Sequence, residues 1–172
     1  MHLTPIATPE QVTLVASWLA EKRNYAWLDF GNGVQSPGAA SLKFMVQKDT
    51  HALRLFTADD DGAAIGVVGL SNVDRNFRTA TIWIALGDKK FSAKGYALRA
   101  GAAMLEFAFG ELGLHAVNAW AVDCNHASLR LMRMLNFHPI GRQRQCHYID
   151  GEVHDRLWFD LLASEYAGIR HG

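Results

Sequence analysis

Hydrophobic residues recur at helical spacing near the start of the chain and at strand spacing farther on. Thr8–Gln11 is typical of a helix start, and the apolar residues that follow predict a helix to about Lys22. Ser36-Pro37 opens a second predicted helix with apolar residues on one face. We therefore expect the first 49 residues to be mainly helical.

Alternating and β-branched patterns dominate from residue 51 onward. The predicted strands cover residues 51–58, 64–73, 79–86, 117–122, 140–149 and 153–162. Helices are predicted over 96–112 and from Asn125, polar residues 72–76 predict a loop, and Asp59–Gly62 a hairpin turn. This order predicts an α/β (α+β) fold with a single mixed central sheet and flanking helices. The helix at 96–112 favours parallel pairing of the strands on either side of it.

Composition narrows the class of protein. The 172 residues predict one domain over 1–172, and 17 basic side chains balance 17 acidic ones without a basic run, which disfavours nucleic acid or a membrane as partner. The chain start lacks a leader pattern, and the two cysteines fit a reducing, cytoplasmic location. The histidines are scattered without metal-ligand spacing, so no metal site is predicted.

A short loop, Phe91–Ala97, lies between a predicted strand and a long apolar helix. Free N–H groups at a helix N-terminus and the helix dipole attract phosphate, and Lys94 adds a full positive charge there. The loop therefore predicts a ligand that carries a pyrophosphate. An ordinary tight turn with Gly95 for backbone freedom is the alternative.

Four segments in order resemble the GNAT acetyltransferase superfamily. They are Ile65–Leu70, Ala93–Ala97, Asn125–Ser128 with Leu135–Phe137, and the last hairpin from Asp150 to Leu161. The chain is most similar to the branch with ribosomal-protein N-terminal alanine acetyltransferases and amino-sugar N-acetyltransferases. The resemblance covers residues 50–166, and it leaves 1–49 as a helical segment on the acceptor side.

The resemblance implies an N-acetyltransferase that uses acetyl-CoA as acyl donor. A primary amine, on a protein N-terminus, an amino sugar or a small amine, would attack the thioester directly. The loop would hold the pyrophosphate, two splayed strands would hold the pantetheine arm, and an N–H near Ala85 would stabilise the developing oxyanion. The implied coenzyme-binding residues are Ile84, Ala85, Leu86, Ser92, Ala93, Lys94, Gly95, Tyr96, Ala97, Asn125 and Arg133.

Catalytic roles are less completely implied. Ser128 is the candidate acid for the leaving thiolate, and Asn125 could orient a water or the amine. The alternative for Ser128 is a solvated serine in the first helix turn. The alternative for Asn125 is a plain helix N-cap. Thr81 stands where the family often has a carboxylate, and Met132 where many members have a tyrosine acid. The general base is therefore unassigned, and a non-catalytic acyl-CoA-binding sensor or degenerate GNAT module is the alternative function.

Other side chains have two interpretations each. His147 could relay a proton or be structural. Four aromatic residues could line an acceptor pocket or belong to the core: Trp27, Phe30, Trp83 and Trp120. The last strands could pair between copies, which suggests a homodimer.

Overall fold

The computed structural model describes residues 1–31, 33–60 and 62–167. The strands are β1 (Leu3–Pro5), β2 (Ala52–Thr57), β3 (Ala64–Asp74), β4 (Thr79–Leu86), β5 (Ala116–Val122), β6 (His138–Ile149) and β7 (Glu152–Leu162). The α-helices are α1 (Pro9–Leu19), α2 (Lys22–Tyr25), α3 (Ala39–Gln47), α4 (Tyr96–Glu106) and α5 (His126–Met134). A 3-10 turn covers Lys89–Phe91, and a π-helix, Phe107–Glu111, continues α4.

The strands form one mixed sheet, as predicted. Its order is β1-β2-β3-β4-β5-β7-β6, and only the pair β4–β5 is parallel. That pair spans three register positions, from Thr79 opposite Ala116 to Thr81 opposite Asn118. The helix crossover between β4 and β5 explains their parallel direction, because a hairpin cannot connect parallel neighbours.

Helices cover both faces of the sheet. On one face, α4 and α5 bury a large cluster that includes Met104, Leu105 and Leu135. On the other face, α1 and α3 bury a smaller cluster around Leu19 and Leu42. Each of these four helices therefore buries one apolar side, as the spacing of the apolar residues predicts.

Two predicted helix starts are confirmed by their capping hydrogen bonds. The Thr8 hydroxyl accepts from the N–H of Gln11, whose side chain accepts from the N–H of Thr8 in return. At the start of α5, Asn125 Oδ1 accepts from the N–H of Ser128 at 3.1 Å. These local signals set where both helices begin.

Several predicted boundaries are wrong. β1 and α2 were not predicted, because a three-residue edge strand that ends in proline and a one-turn helix show no periodicity. β3 runs through Asp74 into the predicted loop, with a bulge between Ser71 and Asp74 that absorbs the polar residues. The predicted turn at 59–62 includes Asp61, which lies outside the described residues, although β2 and β3 pair antiparallel.

Within the described residues, no helix combines the length and apolar character needed to cross a membrane.

Candidate active site

The loop between β4 and α4, Gly87–Gly95, turns sharply before the helix begins. Gly95 has φ +77°, and Ala93 has φ +59° despite its Cβ. At the loop's start, the Asp88 carboxylate accepts from the N–H of Lys90 at 3.1 Å and so holds the 3-10 turn. Successive bends of this kind turn backbone N–H groups toward one side, as in anion-binding nests.

The N-terminus of α4 is open to a ligand. The N–H of Arg99 bonds to the carbonyl of Gly95 at 3.1 Å, and no side chain of the described residues caps the helix start. A Cβ placed on Gly95 would meet no atom within 4 Å, so the surface beside it is also open. The first N–H groups of α4 are therefore available to an anion.

Lys94 and Tyr96, both predicted coenzyme-binding residues, point in different directions. Lys94 is exposed, its Nζ lies 5.2 Å from the centre of the Phe91 ring, and no carboxylate of the described residues pairs with it. The Tyr96 side chain is buried, and its hydroxyl accepts from the N–H of Asp59 at 3.2 Å. Tyr96 can therefore contribute only its backbone to this site, while Lys94 keeps its charge free for an anion.

A gap opens between β4 and β5 beyond Thr81 and Asn118, where their pairing stops in the described chain. Ile84, Ala85 and Leu86 all lie past that point. The carbonyl of Leu86 already accepts from Lys89 Nζ at 2.8 Å. Unpaired backbone between two diverging strands can hydrogen-bond an extended chain placed there. At its end β4 runs into the loop that precedes the N-terminus of α4.

At the start of α5, Asn125 and Ser128 are both half-buried. The N-cap interpretation of Asn125 is confirmed, and its use of Oδ1 leaves the side-chain NH₂ free for other contacts. Arg133 is exposed in the last turn, with Nε 3.4 Å from the carbonyl of Leu129. It lies about 7.5 Å along the helix axis from Ser128. The catalytic roles of Asn125 and Ser128 stay predictions.

The other face of the gap carries half-buried aromatic rings. Trp83 and Trp120 lie two residues past the last β4–β5 pair, so both project to the side of α1. The Phe30 ring meets Trp83 edge-on, with centres 5.1 Å apart. All three rings, and Trp27, are half-buried and do not belong to the fully buried core. They are available to line a pocket beside the gap.

Arg156 on β7 contacts several residues on the α1 side of the gap. We call this group the Arg156 network (Ala26, Asp29, Trp120, His147 and Arg156). Its guanidinium lies 4.2 Å from the centre of the Trp120 ring, and its Nη2 lies 2.7 Å from Asp29 Oδ2. Its Nε donates to His147 Nδ1 at 3.1 Å. Long-range contacts thus attach the segment after α2 to β5, β6 and β7.

His147 is buried within this network and neutral. Its Nε2 donates to the carbonyl of Ala26 at 2.7 Å, which leaves Nδ1 to accept from Arg156. Burial also lowers the pKa of His147, which favours this neutral form. Because both ring nitrogens are engaged, the geometry favours the structural interpretation over the proton relay.

Lys89 is a residue that sequence analysis missed. Its Nζ donates to Asn24 Oδ1 at 2.6 Å and to Leu86 at the end of β4, and burial lowers its pKa. Asn24 in turn donates to the carbonyl of Trp18 at 2.8 Å. These bonds fix α2 to the β4–α4 loop. No local signal could find them, since Asn24 and Lys89 are 65 residues apart in the chain.

Comparison with known proteins agrees with this arrangement. A family model described as an acetyltransferase (GNAT) domain matches residues 1–138. The Bacillus subtilis protein named "Putative ribosomal N-acetyltransferase YdaF" is 34% identical over 110 residues, 63% of this chain and 58% of that protein. "Probable N-acetyltransferase YjcK" of the same species is 35% identical over 109 residues, with 63% and 59% covered. The chain thus spans less than two thirds of these relatives.

The fold also matches solved structures. The spermidine N-acetyltransferase from Vibrio cholerae in complex with CoA and spermine superposes with a TM-score of 0.83 at 16% identity, over 96% of each chain. At that identity the likeness concerns the fold. The family model, by contrast, matches most of the sequence. The chain belongs to the GNAT acetyltransferase family.

Proposed function

We propose that this chain is an N-acetyltransferase that moves the acetyl group of acetyl-CoA to a primary amine. Its family membership supports acetyl transfer. The observation that carries the proposal is the order of two openings along the chain: the unpaired end of β4 runs through one loop into the uncapped N-terminus of α4. A long donor with a pyrophosphate at one end and a thioester at the other needs such a path.

The residues along this path fit the donor. The N–H groups of residues 93–97, with Lys94 beside them, would hold the pyrophosphate. The N–H of Ser92 already donates to the carbonyl of Lys89 at 2.9 Å and is not among them.

The backbone of Ile84 and Leu86 would bond the amides of the arm, except at the carbonyl that Lys89 occupies. The backbone groups of Ala85 face β3, where this residue pairs with Val67. Arg133, exposed on α5, would contact another phosphate of the donor. Acetyl-CoA supplies the activated acyl group.

Most of the catalysis comes from holding both reactants together, so the side chains need to contribute little. The amine nitrogen forms a bond to the acetyl carbon, the carbon–sulfur bond breaks, and the amine proton passes to water. The N–H near Ala85 would stabilise the charge on the acetyl oxygen. The Ser128 hydroxyl would give a proton to the leaving thiolate and regain one from solvent, with Asn125 orienting the amine or a water.

The acceptor is proposed to enter from the side of α1, between the rings of Phe30, Trp83 and Trp120. A polyamine would need free carboxylates to pair with its several charges. The carboxylates of residues 1–31 already have partners within the protein, which favours an acceptor with one amine. Asp29 pairs with Arg156, and Glu21 with Arg23. The Thr8 side chain, at the start of the same helix, lowers the pKa of Glu10. We therefore propose a protein N-terminus, an amino sugar or a small amine with an uncharged body.

One observation favours the alternative of an acyl-CoA-binding module without turnover. Met132 is buried, and it stands where many family members have a tyrosine acid. A sensor would bind acetyl-CoA and release no thiol. Turnover therefore separates the two functions, whereas binding does not.

The test is a thiol-release assay with the purified chain, acetyl-CoA and a panel of amines. The panel contains peptides with free N-terminal residues, amino sugars, monoamines and spermidine. We expect thiol release with at least one acceptor of the first three groups and weaker release with spermidine. Binding of acetyl-CoA by calorimetry without release by any amine would support the sensor. Absence of binding would contradict both.

We propose two further features of the protein. The edge strand β6 exposes Ile140 and Tyr148, and pairing of this edge with a second copy would cover them. Sedimentation at micromolar concentration tests this homodimer, and a monomer throughout would contradict it. A cytoplasmic location fits the two free cysteines, which reducing compartments preserve.

A further inference from the structure

Three side chains with metal-binding atoms converge at the end of β5. Asp123 and Cys124 directly follow the strand, and His154 lies on the neighbouring strand β7. One ligand atom from each of the three lies within 4.8 Å of the other two. The backbone fixes this proximity, since the N–H of Asp123 donates to the carbonyl of Asp155 at 3.0 Å.

A second observation concerns Asp123 itself. Its Oδ1 is buried and has no hydrogen-bond partner within the described part of the chain. The Nδ1 of His154 lies 3.4 Å from this oxygen, longer than an ordinary N–H···O bond. A buried carboxylate oxygen without a partner is costly, so a ligand that binds it would remove that cost.

The spacing suits a tetrahedral ion. Nitrogen and oxygen ligands about 2.0–2.1 Å from zinc are about 3.3 Å apart, close to the observed distance between His154 and Asp123. Cys124 is exposed, so its thiol can rotate toward the pair. We propose that Asp123, Cys124 and His154 bind one thiophilic divalent ion, such as Zn²⁺ or Co²⁺. Water would complete the site, and the thiol proton would pass to solvent.

This site differs from the expectation of no metal that the sequence supports. The ligands come from two strands that are neighbours only in the folded sheet, so no spacing motif marks them. Sulfur and nitrogen ligands favour zinc and cobalt over magnesium or calcium. The proposal is independent of the acetyl-transfer activity, because it needs no coenzyme and no acceptor.

The experiment titrates Co²⁺ into the reduced full chain and records the near-ultraviolet band from thiolate-to-cobalt charge transfer. We expect a band that saturates at one ion per chain and disappears on addition of excess Zn²⁺. Cys124→Ser should abolish it, whereas the matched variant Cys146→Ser should keep it. Absence of the band in the parent chain, or its survival in Cys124→Ser, would overturn the proposal.

Two further variants test the other two ligands, and the folding of each variant is checked separately. Asp123→Asn and His154→Gln each remove one ligand and should weaken binding by more than about tenfold, the smallest loss usual when a group that only supports a ligand is removed. Circular dichroism establishes that each variant is folded before titration. A folded variant that binds Co²⁺ as tightly as the parent would exclude its residue from the site and contradict the three-ligand arrangement.

Discussion

The two sides of the β4–β5 gap are built differently. On the α4 side, the predicted coenzyme site consists mainly of backbone within one short stretch, with left-handed residues at Ala93 and Gly95. On the α1 side, the Arg156 network joins side chains up to 127 residues apart, as Arg156 and Asp29 are. Local sequence can therefore specify the first side, whereas only the complete fold assembles the second. Disrupting each side separately should give different kinds of defect.

The largest expected effect follows from Gly95→Trp on the backbone side. A bulky side chain at the start of α4 should cover the N–H groups that are proposed to bind phosphate. Loss of two charge-assisted hydrogen bonds lowers acetyl-CoA affinity by at least about 100-fold. Titration calorimetry measures this loss.

The matched control is Gly113→Trp just beyond the other end of the same helical segment. Gly113 also has positive φ, +63°, and a Cβ there meets no atom within 4 Å. Backbone strain should be similar in the two variants, but acetyl-CoA affinity should be unchanged in the control. Equal losses in both variants would remove the β4–α4 loop from the binding site.

On the side-chain network, Arg156→Gln should destabilise the fold. It leaves Asp29, whose side chain is 15% exposed, and His147 without their partner. We expect the free energy of unfolding to fall by about 2 kcal/mol. Acetyl-CoA affinity should stay within about twofold, while KM for the amine rises. Urea unfolding and steady-state kinetics measure both.

Lys22→Gln serves as the control for that prediction. Lys22 pairs with Asp150 across the same two regions, but both side chains are largely exposed, 59% and 63%. Its loss should leave the unfolding free energy nearly unchanged, because exposed ion pairs contribute little. Equal stability of the two variants would mean that the Arg156 network does not stabilise the acceptor side.

Ser128→Ala should lower kcat by about tenfold and leave acetyl-CoA affinity unchanged. The effect is modest because a thiolate with a pKa near 8.5 leaves without much help. Single-turnover kinetics separate the chemical step from product release. Rates equal to those of the parent would show that Ser128 is only a first-turn serine.

Ala93→Gly should stabilise the fold slightly, by about 0.5 kcal/mol. The left-handed conformation costs an alanine about 1–2 kcal/mol, and the added freedom of glycine in the unfolded chain offsets part of the gain. Ala97→Gly, in the first turn of α4, should destabilise instead. Thermal unfolding of the pair distinguishes the two signs, and a destabilised Ala93→Gly would contradict strain at this position.

Stability should also fall in acid through His147. Burial lowers its pKa in the folded state, so the unfolded chain takes up the proton first, below about pH 6.5. The stability of the parent should therefore decrease from about pH 7.5 to about pH 5.5 more steeply than that of His147→Gln. The remaining slope of the variant includes His51, whose pKa burial also lowers. Parallel slopes would mean that His147 does not titrate differently on unfolding.

The sequence predicted what short-range chemistry determines. Thr8 and Asn125 cap the helices that their positions indicate, and β4 and β5 are parallel because a helix connects them. It did not predict Lys89 bridging Asn24 and Leu86, because a lysine in a loop shows no preference for a distant amide. The cluster of Asp123, Cys124 and His154 was not predicted either, because its residues become neighbours only in the folded sheet.

Amide NMR of the labelled chain during titration with acetyl-CoA tests the central claim most directly. If the N-terminus of α4 binds the pyrophosphate, the amide signals of residues 93–98 show the largest shifts, those of β4 beyond Thr81 shift less, and both sets saturate together with the bound fraction. If the saturating shifts fall elsewhere and these amides stay in place, the proposed donor site is wrong.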